Sequence, residues 1–110
     1  MHHHMKLQTE PFKKICSDTK KIEIRLFDEK RHQLKVDDLI TFTRMDDESE
    51  HVQVKIIDLV QFSSFKDLFE AYDPVLYGGE EEDEYESMYQ YYSKEDEQKY
   101  GVLAIHLQVV

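Results

Sequence analysis

Asp18-Thr19-Lys20-Lys21-Ile22-Glu23-Ile24-Arg25-Leu26 is the stretch on which the reading of this chain turns. Ile22, Ile24 and Leu26 alternate with Lys21, Glu23 and Arg25, the period of two that sends successive side chains of a β-strand to opposite faces. The apolar face enters a core, so the strand presents a carboxylate between two cations to whatever lies opposite. Charges carried on a packed strand are held in place far better than the same charges on a loop. This row is therefore the leading candidate for a functional surface.

The flanking sequence supplies elements to pack that strand. Residues 5–8 read as a short first strand. Thr9-Glu10-Pro11 reads as a helix start, with proline at the first helical position, where its missing N–H is harmless. Phe12, Ile15 and Cys16 give the helix a narrow apolar face, and Cys16 is expected there as a small buried hydrophobe. Residues 39–44 form a strand, and Asp46-Asp47-Glu48-Ser49 a hairpin loop. A long strand follows from His51. Its inward set, Val52, Val54 and Ile56, is interrupted by Ile57 and Leu59 and resumes at Val60 and Phe62, which predicts a bulge in a strand wrapping a small barrel. Ser63-Ser64 caps a helix bearing Phe65, Leu68, Phe69 and Tyr72 at helical spacing. Asp73-Pro74 begins a turn that ends at Gly78-Gly79. A helix from Asp83 carries Tyr85, Met88, Tyr89 and Tyr92, and Ser93-x-x-Asp96 caps a last helical turn ended by Gly101. Residues 102–109 close the chain as a strand. The order predicts an α+β domain with a small mixed β-barrel and helices inserted before the last strand.

The 110 residues suit one domain, residues 5–110, able to bury a core without metal or disulfide. Residues 1–4 read either as a tag remnant or as a flexible native N-terminus, and His2, His3 and His4 are assigned no metal. One cysteine excludes an internal disulfide and suits a reducing compartment. No run is long enough to span a membrane and no signal-peptide pattern is seen, so the expected address is the cytoplasm. The net charge of −10 argues against a protein that coats nucleic acid non-specifically, and no long-duplex DNA partner is expected. That charge is uneven: residues 1–36 carry nine basic and five acidic residues, the remainder five basic and nineteen acidic. The acidic run from Glu80 to Glu86 reads as a solvated loop.

The run Lys20-x-x-Glu23-x-Arg25 followed by Asp28-Glu29-Lys30-Arg31 resembles the signature of the ASCH family, a branch of the PUA-like superfamily. Met5-Lys6-Leu7-Gln8 with Pro11-Phe12 is similar to the family's opening strand and helix, and Lys35 to Phe42 to its turn and strand after the signature. Tyr91 to Asp96 with Lys99-Tyr100-Gly101-Val102 resembles the closing segment of small bacterial single-domain members. Two positions depart from the pattern. Asp18 and Asp37 stand where glycine is usual, and both are expected at positive φ, which Asp tolerates better than most residues.

The resemblance implies a PUA-like fold and an RNA, nucleotide or nucleoside ligand, with no cofactor. Ligand contacts fall to Lys20, Lys21, Glu23 and Arg25, with Phe27 and Tyr91 as stacking candidates. Some small members resembling this chain are amidohydrolases that deacetylate acetylated cytidine. Their catalytic lysine matches Lys20, but their threonine nucleophile falls at Glu23. A carboxylate is a poor nucleophile toward an amide, so catalysis here would use Glu23 as a general base for water and Lys20 to stabilise the oxyanion. Glu70 and Asp73 are regional candidates for that branch's acid. A third reading is a protein-interaction coregulator module. His32, His51 and His106 lack ligand spacing, and no metal site is expected.

Overall fold

The computed structural model describes residues 1–79 and 85–110. Among these, strands β1 (His2–Leu7), β2 (Ile22–Leu26), β3 (Leu39–Arg44), β4 (Asp47–Phe62) and β5 (Val102–Val109) build one sheet in the order β1-β3-β4-β5-β2. The β1–β3 pair is parallel and the other three pairs are antiparallel. Helices α1 (Thr9–Cys16), α2 (Phe65–Ala71) and α3 (Lys94–Tyr100) are joined by 3-10 turns at Arg31–Gln33, Pro74–Tyr77 and Tyr85–Gln90. No helix among the described residues is long and apolar enough to cross a membrane.

The sheet is a curled half-barrel. β1 and β2 are its two edges, yet Arg25 Nη2 on β2 donates to the Lys6 backbone carbonyl on β1 at 3.1 Å. The bend comes from β4, whose pairing with β5 slips between Ile56 and Asp58 and leaves Ile57 48% exposed. That is the bulge predicted from the change of apolar face, and a bulge locally raises strand twist.

Curling gives two cores, one on each face of the sheet. On one face Met5, Leu7, Ile40, Phe42, Val54, Ile56, Leu103, Ile105 and Leu107 pack with Phe12 and Ile15 of α1. On the other, Ile22, Ile24, Leu26, Val102 and Ala104 pack with Phe65 and Leu68 of α2 and with Tyr77. β5 is thus sandwiched, sending alternate residues to opposite cores, while β2 gives Ile22, Ile24 and Leu26 to the second core and turns Glu23 and Arg25 to its other face.

Local chemistry sets the ends of the elements. Ser64 and Ser93 Oγ each accept the backbone N–H three residues on, Asp67 and Asp96, as the sequence predicts. Asp18 and Asp37 sit at φ 60° and 77°, the positive values expected of residues standing for glycine. The buried Glu97 of α3 joins three inserted elements: Oε2 accepts from Phe65 N at the start of α2 and Oε1 from the Tyr89 hydroxyl, both at 2.8 Å. Burial first, then the Glu97 carboxylate, pushes the Tyr89 phenol up to about 12.

Some boundaries and one burial differ from expectation. β1 starts at His2, because His2–Leu7 pairs along the whole of β3 and the Met1 amino group and His3 Nε2 both reach Asp38, at 3.0 and 2.8 Å. The hairpin turn is Met45-Asp46, with β4 beginning at Asp47. Cys16 is exposed rather than buried. α1 has only eight residues, Phe12 and Ile15 fill its packed stripe, and the last residue is left at the rim. The segment expected as a helix from Asp83 is a 3-10 turn over Tyr85–Gln90, and its expected start lies outside the described residues, as does most of the acidic run from Glu80 to Glu86.

Candidate functional site

The site is built where the α1–β2 connection meets the turn after α2. Asp18 reverses the chain at the end of α1, and Thr19 N and Lys20 N both donate to the Lys14 carbonyl, at 2.9 and 3.0 Å. Lys21 N donates to Leu76 O at 2.7 Å, which ties the start of β2 to the Pro74–Tyr77 turn. Lys20 is thereby turned inward and is 6% exposed. Its Nζ donates to the Tyr77 carbonyl at 2.9 Å and lies 3.1 Å from Glu23 Oε1. Lys14 Nζ holds the next carbonyl of interest, Gly78 O, at 2.7 Å. Gly78 is at φ +84°, and a Cβ there would stand 3.1 Å from Lys20 Cδ, so only glycine gives the turn this path beside the lysine stem.

Glu23 is 5% exposed and paired on both sides. Oε1 faces Lys20, while Oε2 accepts from Arg25 Nε and Nη2, each at 2.8 Å. Burial pushes the Glu23 carboxyl up, but Lys20 and Arg25 together outweigh it and hold it below the usual carboxylate value. The result is a lysine–carboxylate–arginine chain with its centre out of water.

Lys20 and Glu23 form the floor of a cavity of about 280 Å³, walled by Phe69, Tyr77, Met88 and Tyr91 and flanked by Gly78 and Gly79. An ammonium has three donors and a carboxylate oxygen two lone pairs. Among the described residues, Lys20 uses two donors and Glu23 Oε1 accepts from one partner. One N–H of Lys20 and one lone pair of Glu23 Oε1 thus have no partner among the described residues, on two side chains that line the same largely apolar hollow.

The other residues singled out in the sequence divide around this cavity. Tyr91 lines it and is 63% exposed. Arg25 anchors Glu23 but faces a second hollow, with Lys6, Lys30 and Arg31. Lys21 is exposed, 3.5 Å from Asp18 Oδ2, and lines a third hollow beside Leu76 and His106. The Phe27 ring lies 3.9 Å from the His32 ring and packs against the first core. Glu70 is exposed, and Asp73 caps the next turn by accepting from Val75 N at 3.2 Å; neither lines the cavity. His106 Nε2 is paired with the Tyr72 hydroxyl at 2.9 Å. No group of three or more His, Cys, Asp and Glu among the described residues is placed to hold a metal ion.

Sequence reasoning missed the Tyr77 carbonyl, Gly78 and the Phe69 and Met88 walls. Gly78-Gly79 after a Pro74 turn was a signal for close backbone approach. Met88 was not separable from core packing, since its helical spacing fits both.

The ASCH domain model matches residues 5–110. The crystal structure of a hypothetical protein, PH0355, is 35% identical over the whole of both chains, with a TM-score of 0.85. The solution NMR structure of protein PF0455 from Pyrococcus furiosus is 31% identical, covering 100% of this chain and 98% of that one, with a TM-score of 0.77. No match was found among curated proteins.

Proposed function

Since the chain belongs to the ASCH domain family, we propose that it binds RNA or a nucleotide, seating one base over Lys20 and Glu23. The observation that carries this reading is the buried Lys20–Glu23 pair, with a spare donor beside a spare acceptor at the bottom of a small hollow. That pattern complements a base edge presenting an acceptor beside an amino group, as cytosine and adenine do. A hollow of about 280 Å³ lies near the lower limit of ligand sites, which suits one base with part of its sugar. Tyr91, Met88 and Phe69 supply the flat and apolar walls on which bases stack. Arg25 acts through Glu23, fixing its orientation and keeping it ionised. Lys21 and Phe27, at the two ends of β2, would meet only neighbouring parts of a longer ligand.

The test is fluorescence anisotropy with a fluorescein-labelled single-stranded oligoribonucleotide. Lys20→Ala is expected to weaken binding at least tenfold. Binding unchanged in the Lys20→Ala/Arg25→Ala double variant would remove the base site.

The same pair favours a second reading, an amidohydrolase acting on an acylated nucleoside. Glu23, ionised 3.1 Å from Lys20 Nζ, takes a proton from water as the water oxygen bonds to the acyl carbon. Lys20 Nζ donates to the oxyanion, and the C–N bond then breaks as the proton held by Glu23 passes to the leaving amine. Incubation with acetylated cytidine, following free cytidine, tests it. Turnover lost in Lys20→Ala supports the enzyme, and no turnover in the native protein rejects it.

A further inference from the structure

A hollow of about 760 Å³ lies on the far side of Arg25, between β1, the end of β3 and the segment that follows β2. Its lining includes Lys6, Arg25, Lys30 and Arg31, opposed by the single carboxylate of Glu48. Four cations line this hollow on a chain whose net charge is −10, although Arg25 is paired behind it with Glu23 and Arg31 lies near Asp28. The one acid in the lining is only loosely engaged, with Lys6 Nζ 3.7 Å from Glu48 Oε1 and both side chains exposed.

The cations keep donors in reserve. Lys30 has no hydrogen bond or ion pair among the described residues. Arg25 commits Nε and Nη2 to Glu23 and Lys6 O, which leaves Nη1. Arg31 Nε is buried with no hydrogen-bond partner, and its Nη1 lies 3.7 Å from Asp28 Oδ2. A buried guanidinium N–H without an acceptor carries a desolvation cost that nothing described within the fold offsets. That nitrogen is closed to solvent, so an anion in the hollow is met by the rest of the guanidinium.

We propose that this hollow is a phosphate site, lying beside the Arg25 guanidinium that anchors Glu23 of the base cavity. Glu23 lines the base cavity and Arg25 the anion hollow, two residues and about 7 Å apart along one strand, a separation within the length of a nucleotide strand. The ligand class is then a phosphate-bearing single strand or nucleotide, in preference to a free nucleoside. Arg25 and Arg31 offer the planar forks suited to phosphate oxygens, and Lys6 and Lys30 offer point charges at the rim. This assignment rests on the base-binding reading for the identity of its ligand, but the anion site is testable without it.

The variant is Lys6→Gln/Lys30→Gln, two exposed side chains whose loss leaves the fold intact. Wild type and variant are titrated with labelled single-stranded RNA between 50 and 200 mM salt, and with inorganic tripolyphosphate followed by amide NMR shifts. Loss of two phosphate contacts should reduce the salt slope by about 1.4, so the variant loses about sevenfold less affinity than wild type across that fourfold salt range. Tripolyphosphate should shift Lys6, Lys30 and Arg31 amides in wild type and not in the variant, and Lys20→Ala should weaken RNA binding at unchanged slope. An unchanged slope in the double variant, or equal tripolyphosphate shifts in both proteins, overturns the phosphate site. Tripolyphosphate bound as described with no RNA bound overturns the base reading and leaves the anion site standing. Neither bound by wild type overturns the phosphate site.

Discussion

Glu23→Gln is the substitution that bears hardest on this architecture. The carboxylate accepts from Lys20 Nζ on one oxygen and from Arg25 Nε and Nη2 on the other. Glutamine has the same shape, but its NH2 must face either Lys20 or Arg25, and both are donors only. One contact therefore becomes donor against donor, and Lys20, 6% exposed, is left as a buried charge without its counterion. Removing one partner of a buried pair costs about 3–5 kcal/mol. Arg25 keeps some access to water and relieves part of this, so about 3 kcal/mol is expected, or a fall of roughly 12 °C in Tm for a domain of this size. The acid dependence should change as well. The folded Glu23 carboxyl lies below its usual 4.5, so between the two values the unfolded chain holds a proton that the folded one does not. Stability from this group is full above 4.5 and is lost as pH falls through the folded value. The variant should lack that limb. Urea denaturation followed by circular dichroism, from pH 7 downward, reads both effects. The double variant Lys20→Met/Glu23→Gln should be less destabilised than the sum of its parts, by about 1–3 kcal/mol. A single variant within about 0.5 kcal/mol of wild type at pH 7, with an unaltered acid limb, would refute the reasoning.

Three further outcomes follow from other parts of the structure. Gly101 holds φ 73° and ψ −175°, and a Cβ there would lie 3.0 Å from Phe62 O, so Gly101→Ala should lose about 1–3 kcal/mol by urea titration. Glu97→Ala removes the acceptor for Phe65 N and the Tyr89 hydroxyl in a buried position, and should cost about 2–3 kcal/mol, while the Tyr89 phenol, now near 12, titrates lower in spectrophotometric alkaline titration. Tyr91→Ala, at a side chain 63% exposed, should leave Tm unchanged and weaken RNA binding by about 1–3 kcal/mol, as loss of one stacking partner does.

Much of the site was legible in one dimension because a strand has a period of two. The alternation in Ile22 to Leu26 places Glu23 and Arg25 on a common face whatever else the chain does, and their guanidinium–carboxylate contact is local. The bulge in β4 was legible for the same reason, as a break in that period at Ile57. Caps at Ser64 and Ser93 and the positive φ of Asp18 and Asp37 depend on nearest neighbours alone. Cys16 was misread because a helical stripe says which residues share a face and nothing about where the packing partner stops.

What stayed hidden depends on residues far apart in the chain. The Lys20 ammonium is inward because the Tyr77 carbonyl, fifty-seven residues on, accepts its proton. The two hollows are separate because the sheet curls until Arg25 reaches the Lys6 carbonyl across its open edges. Residue periodicity determines which face a side chain leaves from; which element covers that face is decided by long-range packing. The chain alone therefore determined an α+β domain with a charged signature strand. The tertiary structure decided that Lys20 and Glu23 are buried and share one cavity, and that Lys6, Arg25, Lys30 and Arg31 line another.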